Sequence, residues 1–170
     1  PLELGNQRPP TAQWTVTGAG CSIVSREGKG HNITHVTFGK VIDFGINDMN
    51  NMGAAMAPAA LDTILAHFRD LKTGPDNFDL IVTGDLGQTG KEMLLQMALR
   101  KGYSLGGKLE DCGTLVFDRT RQDVHSGGSG CGCSASVFAG YVLQRLQSGA
   151  WSRVLFAPTG ALMSPTSSLQ

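Results

Sequence analysis

Apolar residues recur at helical spacing in three parts of the chain. In residues 54–72 they fall at positions i, i+3, i+4 and i+7, the pattern of an amphipathic helix. This stripe consists of Leu61, Ile64, Leu65, Phe68 and Leu71. Pro58 suits the first turn of this helix and Gly74 suits its end. Similar stripes predict helices over residues 91–101 and 133–147.

Other apolar runs predict β-strands. Residues 14–26 and 33–44 are rich in β-branched residues, and they predict a hairpin around a glycine-containing turn. The run at residues 79–83 has Leu-Ile-Val at its centre, which is typical of a buried parallel strand. A weaker strand around residues 115–117 and a last one at residues 153–157 complete the order ββαβαβαβ.

This order predicts an α/β fold with a mixed, mostly parallel sheet and flanking helices. In such sheets, ligands bind beyond the carboxyl ends of the strands. Here those ends are Gly84-Asp85-Leu86-Gly87 and Pro158-Thr159-Gly160-Ala161, and the loop at residues 126–132 leads into the helix that lies between them in sequence. We therefore expect these three glycine-bearing segments to converge on one edge of the sheet.

Charge and composition narrow the possible partners. The chain has 14 Lys and Arg residues and 14 Asp and Glu residues, so its formal net charge is zero and nothing favours nucleic acid. No apolar run approaches the roughly 20 residues of a membrane helix. Residues 1–11, which contain three prolines, are predicted to be a linker, and residues 12–170 the folded part. No signal peptide is evident, and the missing initial methionine indicates that the native N-terminus is absent.

The cysteine pattern indicates free thiols. The four cysteines are Cys21, Cys112, Cys131 and Cys133. They are too few for a disulfide scaffold in a chain of this length, and no second ligand pair with zinc spacing accompanies them. Because a thiol at a helix N-terminus has a lowered pKa, a catalytic cysteine stays open as an alternative. His125 lies so close to Cys131 and Cys133 in the sequence that the sequence does not show whether it could act as the base for such a cysteine. The other histidines, predicted to have surface or packing roles, are His31, His35 and His67.

The glycine-rich stretch Ser-Gly-Gly-Ser-Gly-Cys-Gly-Cys-Ser-Ala, at residues 126–135, is the most informative part of the chain. Leading into a helix, it would present N–H groups and a positive dipole end, which suit a carboxylate or phosphate. Helix packing through small residues is the alternative. The stretch lacks the lysine of a P-loop and the strand-turn-helix frame of a dinucleotide-binding fingerprint. Asp85 is a candidate pocket acceptor, calcium contact or helix cap. The polar loop at residues 47–51 lacks the EF-hand order and is predicted to be a capped loop.

Seven segments, in the same order, resemble the stage V sporulation protein AD family, and the similarity runs from about residue 5 to 166. They are Val-Thr-Gly-Ala-Gly (16–20), Val-Ile-Asp-Phe-Gly-Ile-Asn-Asp (41–48), Met-Gly-Ala-Ala-Met-Ala-Pro-Ala-Ala (52–60), Leu-Ile-Val-Thr-Gly-Asp-Leu (80–86), Asp-Cys-Gly (111–113), Gly-Gly-Ser-Gly-Cys-Gly-Cys-Ser-Ala (127–135) and Thr-Gly-Ala-Leu-Met-Ser-Pro-Thr (159–166). The resemblance implies a thiolase-like fold, in which two similar α/β halves share one site, with this chain as the C-terminal half. The N-terminal half and the last strands would then be absent. A large apolar face would pair with that missing half or with a second copy.

The resemblance also bears on catalysis. Condensing enzymes of the thiolase-like superfamily carry a histidine after the strand that here ends at Thr83, and some carry an asparagine near the position of Cys131. This chain has Gly84-Asp85 in place of the histidine, and the asparagine is not matched either. No residue is therefore assigned a catalytic role. An active acyltransferase or ketoacyl-synthase-like condensing enzyme remains the alternative.

What the family implies instead is binding of dipicolinic acid, free or as its calcium chelate, during uptake into the developing spore. The expected contacts are Gly84, Asp85, Ser129, Gly130, Cys131, Ser134, Gly160 and Ala161. No cofactor is expected, and calcium is expected only as part of calcium dipicolinate. The resemblance implies other stage V sporulation A proteins as partners. It also implies a peripheral position on the forespore or spore inner membrane and a role in sporulation and germination. A scaffold subunit of a membrane uptake complex is a further alternative.

Overall fold

A computed structural model describes residues 8–161 of the chain. The strands are β1 (Trp14–Thr15), β2 (Leu80–Thr83), β3 (Leu109–Asp111), β4 (Gly128–Ser129) and β5 (Val154–Ala157). The helices are α1 (Met52–Leu71), α2 (Gly87–Arg100), α3 (Cys112–Leu115), α4 (Cys133–Val137) and α5 (Leu143–Gln147). A 3₁₀ turn (Pro75–Asn77) precedes β2, and a π-helical turn (Phe138–Val142) joins α4 to α5.

A three-stranded parallel sheet in the order β3-β2-β5 lies at the centre of the fold. Its middle strand, β2, is buried along its whole length. Ile81 packs into the apolar cluster that α1 and α2 form on one face, whereas Leu80 and Val82 pack into the cluster of α4 and α5 on the other. The chain is thus a mixed α/β structure with parallel sheets flanked by helices, as predicted, and this arrangement is consistent with an α/β thiolase-like fold.

Helix α1 begins two residues before its predicted start, because the Asn51 side chain accepts a hydrogen bond from Ala54 N–H and caps it. Asp48 likewise accepts from Asn50 N–H within the capped polar loop. Two details of the prediction are wrong. Pro58 lies inside the helix rather than in its first turn, and the left-handed residue at the C-terminal end is Lys72, at φ 52°, rather than Gly74.

Helix α2 starts at Gly87, four residues before the predicted start. Its first amides have acceptors that the local sequence does not contain: the Asp111 carboxylate for Leu86 and Gly87, and Ser126 for Gln88 and Thr89. The weak strand predicted around residues 115–117 is also wrong, since the chain pairs with β2 at Leu109–Asp111 and turns into α3 directly afterwards.

The predicted hairpin of residues 14–26 and 33–44 does not form. Only β1 is a strand, and it pairs in parallel with β4. No backbone–backbone hydrogen bond joins residues 17–47 to the remainder of residues 8–161. The second predicted strand has no regular secondary structure and contacts α1 through side chains: Thr37 Oγ1 lies 2.8 Å from His67 Nδ1, and Lys40 pairs with Asp62 at 3.3 Å.

The helix predicted over residues 133–147 is confirmed, with the π-helical turn at its centre. Such turns accommodate one extra residue within a continuous helix. No helix between residues 8 and 161 is both long enough and apolar enough to cross a bilayer.

Candidate functional site

Three of the predicted glycine-bearing segments meet at the carboxyl end of β2. Gly84 follows β2 and packs against the backbone that follows β5, so closely that a Cβ at this position would lie 3.4 Å from Pro158 Cα and Thr159 N. Asp85 accepts a hydrogen bond from Gly130 N–H at 2.9 Å. The segments at residues 84–85, 130 and 158–159 therefore converge as the topology predicted.

A glutamine that the sequence did not single out holds this arrangement together. Gln13 Nε2 donates to the carbonyl oxygens of Asp85 and Gly128, each at 2.9 Å. It therefore ties the end of β2 to β4 while β1 pairs with β4 alongside. No signal in the sequence marked Gln13, because it lies in a stretch without apolar periodicity.

Asp85 is half-buried, and among residues 8–161 its carboxylate has one hydrogen-bond donor, Gly130 N–H. Burial raises the pKa of Asp85 above its ordinary value, the Gly130 amide opposes that rise, and the like charge of Asp111 adds to it. Gly130 itself is exposed and adopts φ +112°, a left-handed conformation that glycine tolerates and other residues rarely adopt. A loop that is conformationally suited to glycine thus directs an amide at a carboxylate.

Asp111, a second carboxyl group at the same end of the sheet, is fully buried. Its Oδ1 accepts from Thr83 Oγ1 at 2.6 Å and from Leu86 N–H at 2.9 Å, and its Oδ2 accepts from Gly87 N–H at 3.0 Å. Burial raises the pKa of Asp111, although these donors oppose the shift. The helix-cap role considered for Asp85 therefore belongs to Asp111.

The two buried cysteines do not have the acidity of catalytic thiols. Burial raises the pKa of Cys133 to about 12, and it also raises the pKa of Cys112. The expected lowering at the helix start is therefore wrong for Cys133, because its thiol is enclosed and faces the carbonyl oxygen of Gly84, at 3.8 Å. Cys21 and Cys131 are exposed, and all four cysteines are free.

The remaining predicted contacts lie around this convergence without joining its hydrogen-bond network through their side chains. Ser129 is buried in β4, where its carbonyl accepts from Val16 N–H at 2.8 Å. Cys131 is exposed and Ser134 half-buried at the start of α4. Gly160 is exposed, with no atom of residues 8–161 within 4 Å of an added Cβ, and Ala161 packs against the apolar cluster of α1 and α2.

One cavity among residues 8–161, with a volume of about 450 Å³, shares no lining residue with this edge. It is lined by Leu115, Val116, Ser136, Val137, Gly140 and Tyr141. None of the predicted contacts is among these residues, so the candidate site is an exposed edge rather than this cavity.

The four histidines lie outside the convergence. His31 and His35 are exposed on the extended segment, and His67 is buried in α1, where burial, followed by the charge of His35, lowers its pKa. His125 contacts the carbonyl oxygen of Pro9 through Nδ1, at 2.9 Å, and Asp123 through Nε2, at 3.1 Å.

Within residues 8–161, no group of three or more His, Cys, Asp or Glu side chains is close enough to hold a metal ion. Asp85 and Asp111 interact electrostatically, and protein donors engage both oxygens of Asp111 and Oδ2 of Asp85. A bound cation would therefore need most of its ligands from elsewhere.

Comparison with known proteins gives two concordant matches. The family model described as "Stage V sporulation protein AD (SpoVAD)" matches residues 1–170. Stage V sporulation protein AD from Bacillus subtilis (strain 168) is 46% identical over 166 residues. The aligned region covers 98% of this chain and 49% of that protein, so the chain spans about half the length of the curated relative that it matches.

Proposed function

The chain belongs to the stage V sporulation protein AD family, and from this membership we propose that it binds dipicolinic acid, free or as the calcium chelate, for uptake into the developing spore. The proposed site is the edge at the carboxyl ends of β2 and β5. Its contacts are Gly84, Asp85, Ser129, Gly130, Cys131, Ser134, Gly160 and Ala161.

The observation that carries this proposal is the 2.9 Å hydrogen bond from Gly130 N–H to the Asp85 carboxylate. It supports the proposal because an exposed amide that holds one carboxylate oxygen has the direction needed to hold another. Dipicolinate is a small planar dianion with a carboxylate at each end, and backbone N–H groups at the start of a helix suit such an anion. The open space at Gly160 leaves room for its ring.

Calcium enters this proposal only as part of the ligand. Three protein ligands do not come together among residues 8–161, whereas calcium takes six to eight oxygen ligands. Dipicolinate supplies two carboxylate groups and a ring nitrogen to one cation, and Asp85 lies where it can add an oxygen. The proposed ligand is therefore the preformed chelate or the free acid.

Isothermal titration with dipicolinate tests the proposal, using a variant that blocks the edge without straining the backbone. Gly160→Trp places an indole in open space, and Gly106→Trp is its matched control, because Gly106 also has open space around it and lies in the turn before β3. We expect Gly160→Trp to weaken binding by about tenfold or more and Gly106→Trp to leave it unchanged. Equal affinities in the two variants would remove these positions from the site.

A second candidate function is that of a scaffold subunit in a membrane uptake complex, with other stage V sporulation A proteins as partners. It is favoured by the exposed apolar side chains of residues 23–44, which offer a surface for another protein. In this function the chain would lie peripherally on the forespore inner membrane. A scaffold gives no heat with dipicolinate, so the same titration separates the two candidates.

The alternative of an active condensing enzyme has less support. A thiol whose pKa is raised to about 12, as at Cys133, is protonated at neutral pH and a poor nucleophile. Incubation with an acyl-thioester and mass spectrometry of the chain tests it. An acyl adduct on a cysteine would favour the enzyme.

A further inference from the structure

We propose that one face of the chain binds directly to the surface of an anionic lipid bilayer. This face, the amino edge, lies where β2, β3 and β5 begin, and it consists of residues 69–79, 100–108 and 145–153. The proposal goes beyond the proposed function, because it needs neither dipicolinate nor a partner subunit.

The amino edge is one contiguous surface, although its three segments are far apart in sequence. The strands are parallel, so the helices that precede them, α1, α2 and α5, all end at this edge. The ring centroids of Phe68, at the end of α1, and Tyr103, just after α2, lie 5.6 Å apart. Asp79 N–H donates to the carbonyl oxygen of Arg153 at 2.9 Å. The ends of the three helices therefore present their charges together.

Positive charge is concentrated at the amino edge, although the whole chain has a formal net charge of zero. The three segments contain seven of the 14 Lys and Arg residues but three carboxylates. The other described residues contain the remaining seven Lys and Arg residues and ten Asp and Glu residues. The chain is therefore electrically polarised, and its positive end is the amino edge.

Much of this positive charge is exposed and uncompensated. Five exposed cations of the edge are in no ion pair within residues 8–161: Lys72, Arg100, Lys101, Arg145 and Arg153. Two of the three carboxylates are already engaged. Asp70 pairs with Arg69 at 3.1 Å, and Asp79 accepts from the backbone N–H groups of Ser152 and Arg153. The exposed cations thus remain to attract an anionic surface.

A bilayer fits this face better than a small anion or a folded acidic partner. Lys and Arg side chains are attracted to anionic headgroups one by one, without the fixed geometry that a small anion or a folded partner requires. Leu99, which precedes Arg100 at the end of α2, is 61% exposed and can enter the headgroup region. Trp151, half-buried beside Arg145, belongs to a residue type that is enriched at membrane interfaces.

Cations at the ends of helices also stabilise the helix dipole. That role needs no lipid and predicts a change in stability alone. An experiment that measures vesicle binding and thermal unfolding of the same variants therefore separates the two roles.

The experiment is co-sedimentation of the chain with vesicles of phosphatidylcholine alone and of an equal mixture with phosphatidylglycerol, at low and at high salt. The amino-edge variant carries Lys101→Gln and Arg153→Gln. Its charge-matched control carries Lys29→Gln and Arg121→Gln, which also removes two exposed cations that are in no ion pair within residues 8–161 but that lie outside the amino edge.

We expect the unmodified chain to bind the mixed vesicles at low salt and to lose this binding at high salt, where the charges are screened. The amino-edge variant should bind about tenfold more weakly or less, and the control should bind like the unmodified chain. Leu99→Ala should weaken binding in part, whereas Met49→Ala, at another exposed apolar residue, should not. If the double variant does not fold, Lys101→Gln is compared with Lys29→Gln instead.

Four outcomes would overturn the proposal. They are no binding of the unmodified chain to the mixed vesicles, equal losses in the two double variants, and unchanged vesicle binding of an amino-edge variant that unfolds at a lower temperature. The fourth is equal binding to phosphatidylcholine alone, which would assign the contact to the exposed apolar residues 23–44. No dipicolinate is present, so each of these outcomes leaves the proposed function standing.

Discussion

At the scale of single residues, two carboxyl groups at the end of β2 have opposite surroundings. Asp85 is half-buried with one hydrogen-bond donor, whereas Asp111 is fully buried with donors from Thr83, Leu86 and Gly87. A buried donor left without an acceptor costs about 1–3 kcal/mol, so Asp111 stabilises both the end of the strand and the start of α2.

The buried position of Asp111 predicts a pH-dependent contribution to stability. Since burial raises its pKa in the folded chain, the protonated form contributes stability that is fully present below the unfolded pKa, about 3.9, and is lost as the pH rises through the folded-state pKa. The stability advantage of the unmodified chain over Asp111→Asn should therefore be largest in acid and shrink with rising pH. Urea unfolding of both chains at a series of pH values measures the difference in their free energies of unfolding. A difference that grows with rising pH would contradict the prediction.

Burial also predicts which cysteines react. We expect iodoacetamide to modify Cys21 and Cys131 in the folded chain, and Cys112 and Cys133 only after unfolding, because the latter two are buried and their raised pKa values keep them protonated. Peptide mapping by mass spectrometry distinguishes the four sites. Modification of folded Cys133 as fast as of Cys131 would revive the catalytic alternative.

The sequence predicted some of these residues and not others, for a physical reason. Gly84, Asp85 and Gly130 were found because the ends of parallel strands and the starts of helices face the same edge, which depends only on element order. Gln13 and Asp111 were missed as site residues. Their roles depend on acceptors and donors more than 20 positions away, which no local pattern records.

At the scale of elements, α1 and α2 cross where two glycines meet. A Cβ on Gly53 would collide with the carbonyl oxygen of Leu86, and one on Gly90 would lie 2.8 Å from Gly53 Cα. The backbones therefore approach more closely than any side chain allows. This contact places the start of α2, and with it the loop containing Asp85, against α1.

We expect Gly90→Ala to destabilise the chain by about 1–3 kcal/mol, because the added methyl group forces the two helices apart. Gly140→Ala is the matched control: this glycine lies in the helical stretch after α4, with nothing within 4 Å of an added Cβ. Alanine there should be neutral or stabilising by up to about 1 kcal/mol through helix propensity. Thermal and urea unfolding compare the two variants. Equal changes in their free energies of unfolding would show that the crossing of α1 and α2 tolerates a side chain.

The helices were predicted more accurately than the strands. The hydrogen bonds of a helix are internal, so a stripe such as that of α1 is sufficient to define it, and errors were confined to its ends. A strand needs a neighbour. Residues 33–44 have strand-like composition but gain no ladder partner among residues 8–161, whereas the short β4 was unexpected because its partner, β1, is over 100 residues away.

At the scale of the whole molecule, exposed apolar residues are concentrated in one segment. Of the eleven large apolar side chains exposed in residues 8–161, seven lie between Ile23 and Phe44, and Phe38 and Val41 are 94% and 96% exposed. No backbone–backbone hydrogen bond joins this segment to the other described residues. A segment with unpaired backbone amides and exposed apolar side chains is a template for strand pairing.

The isolated chain should therefore self-associate as its concentration rises, and this segment should drive the association. We expect Phe38→Asp to reduce it, because an aspartate at the centre of the segment opposes both burial and close pairing with a second copy. Leu99→Asp is the control, since Leu99 is 61% exposed on α2, outside the segment, and gains the same charge. Sedimentation velocity across a concentration series measures the effect. A monomer at all concentrations, or equal effects of the two substitutions, would show that this segment is stable in water without a partner.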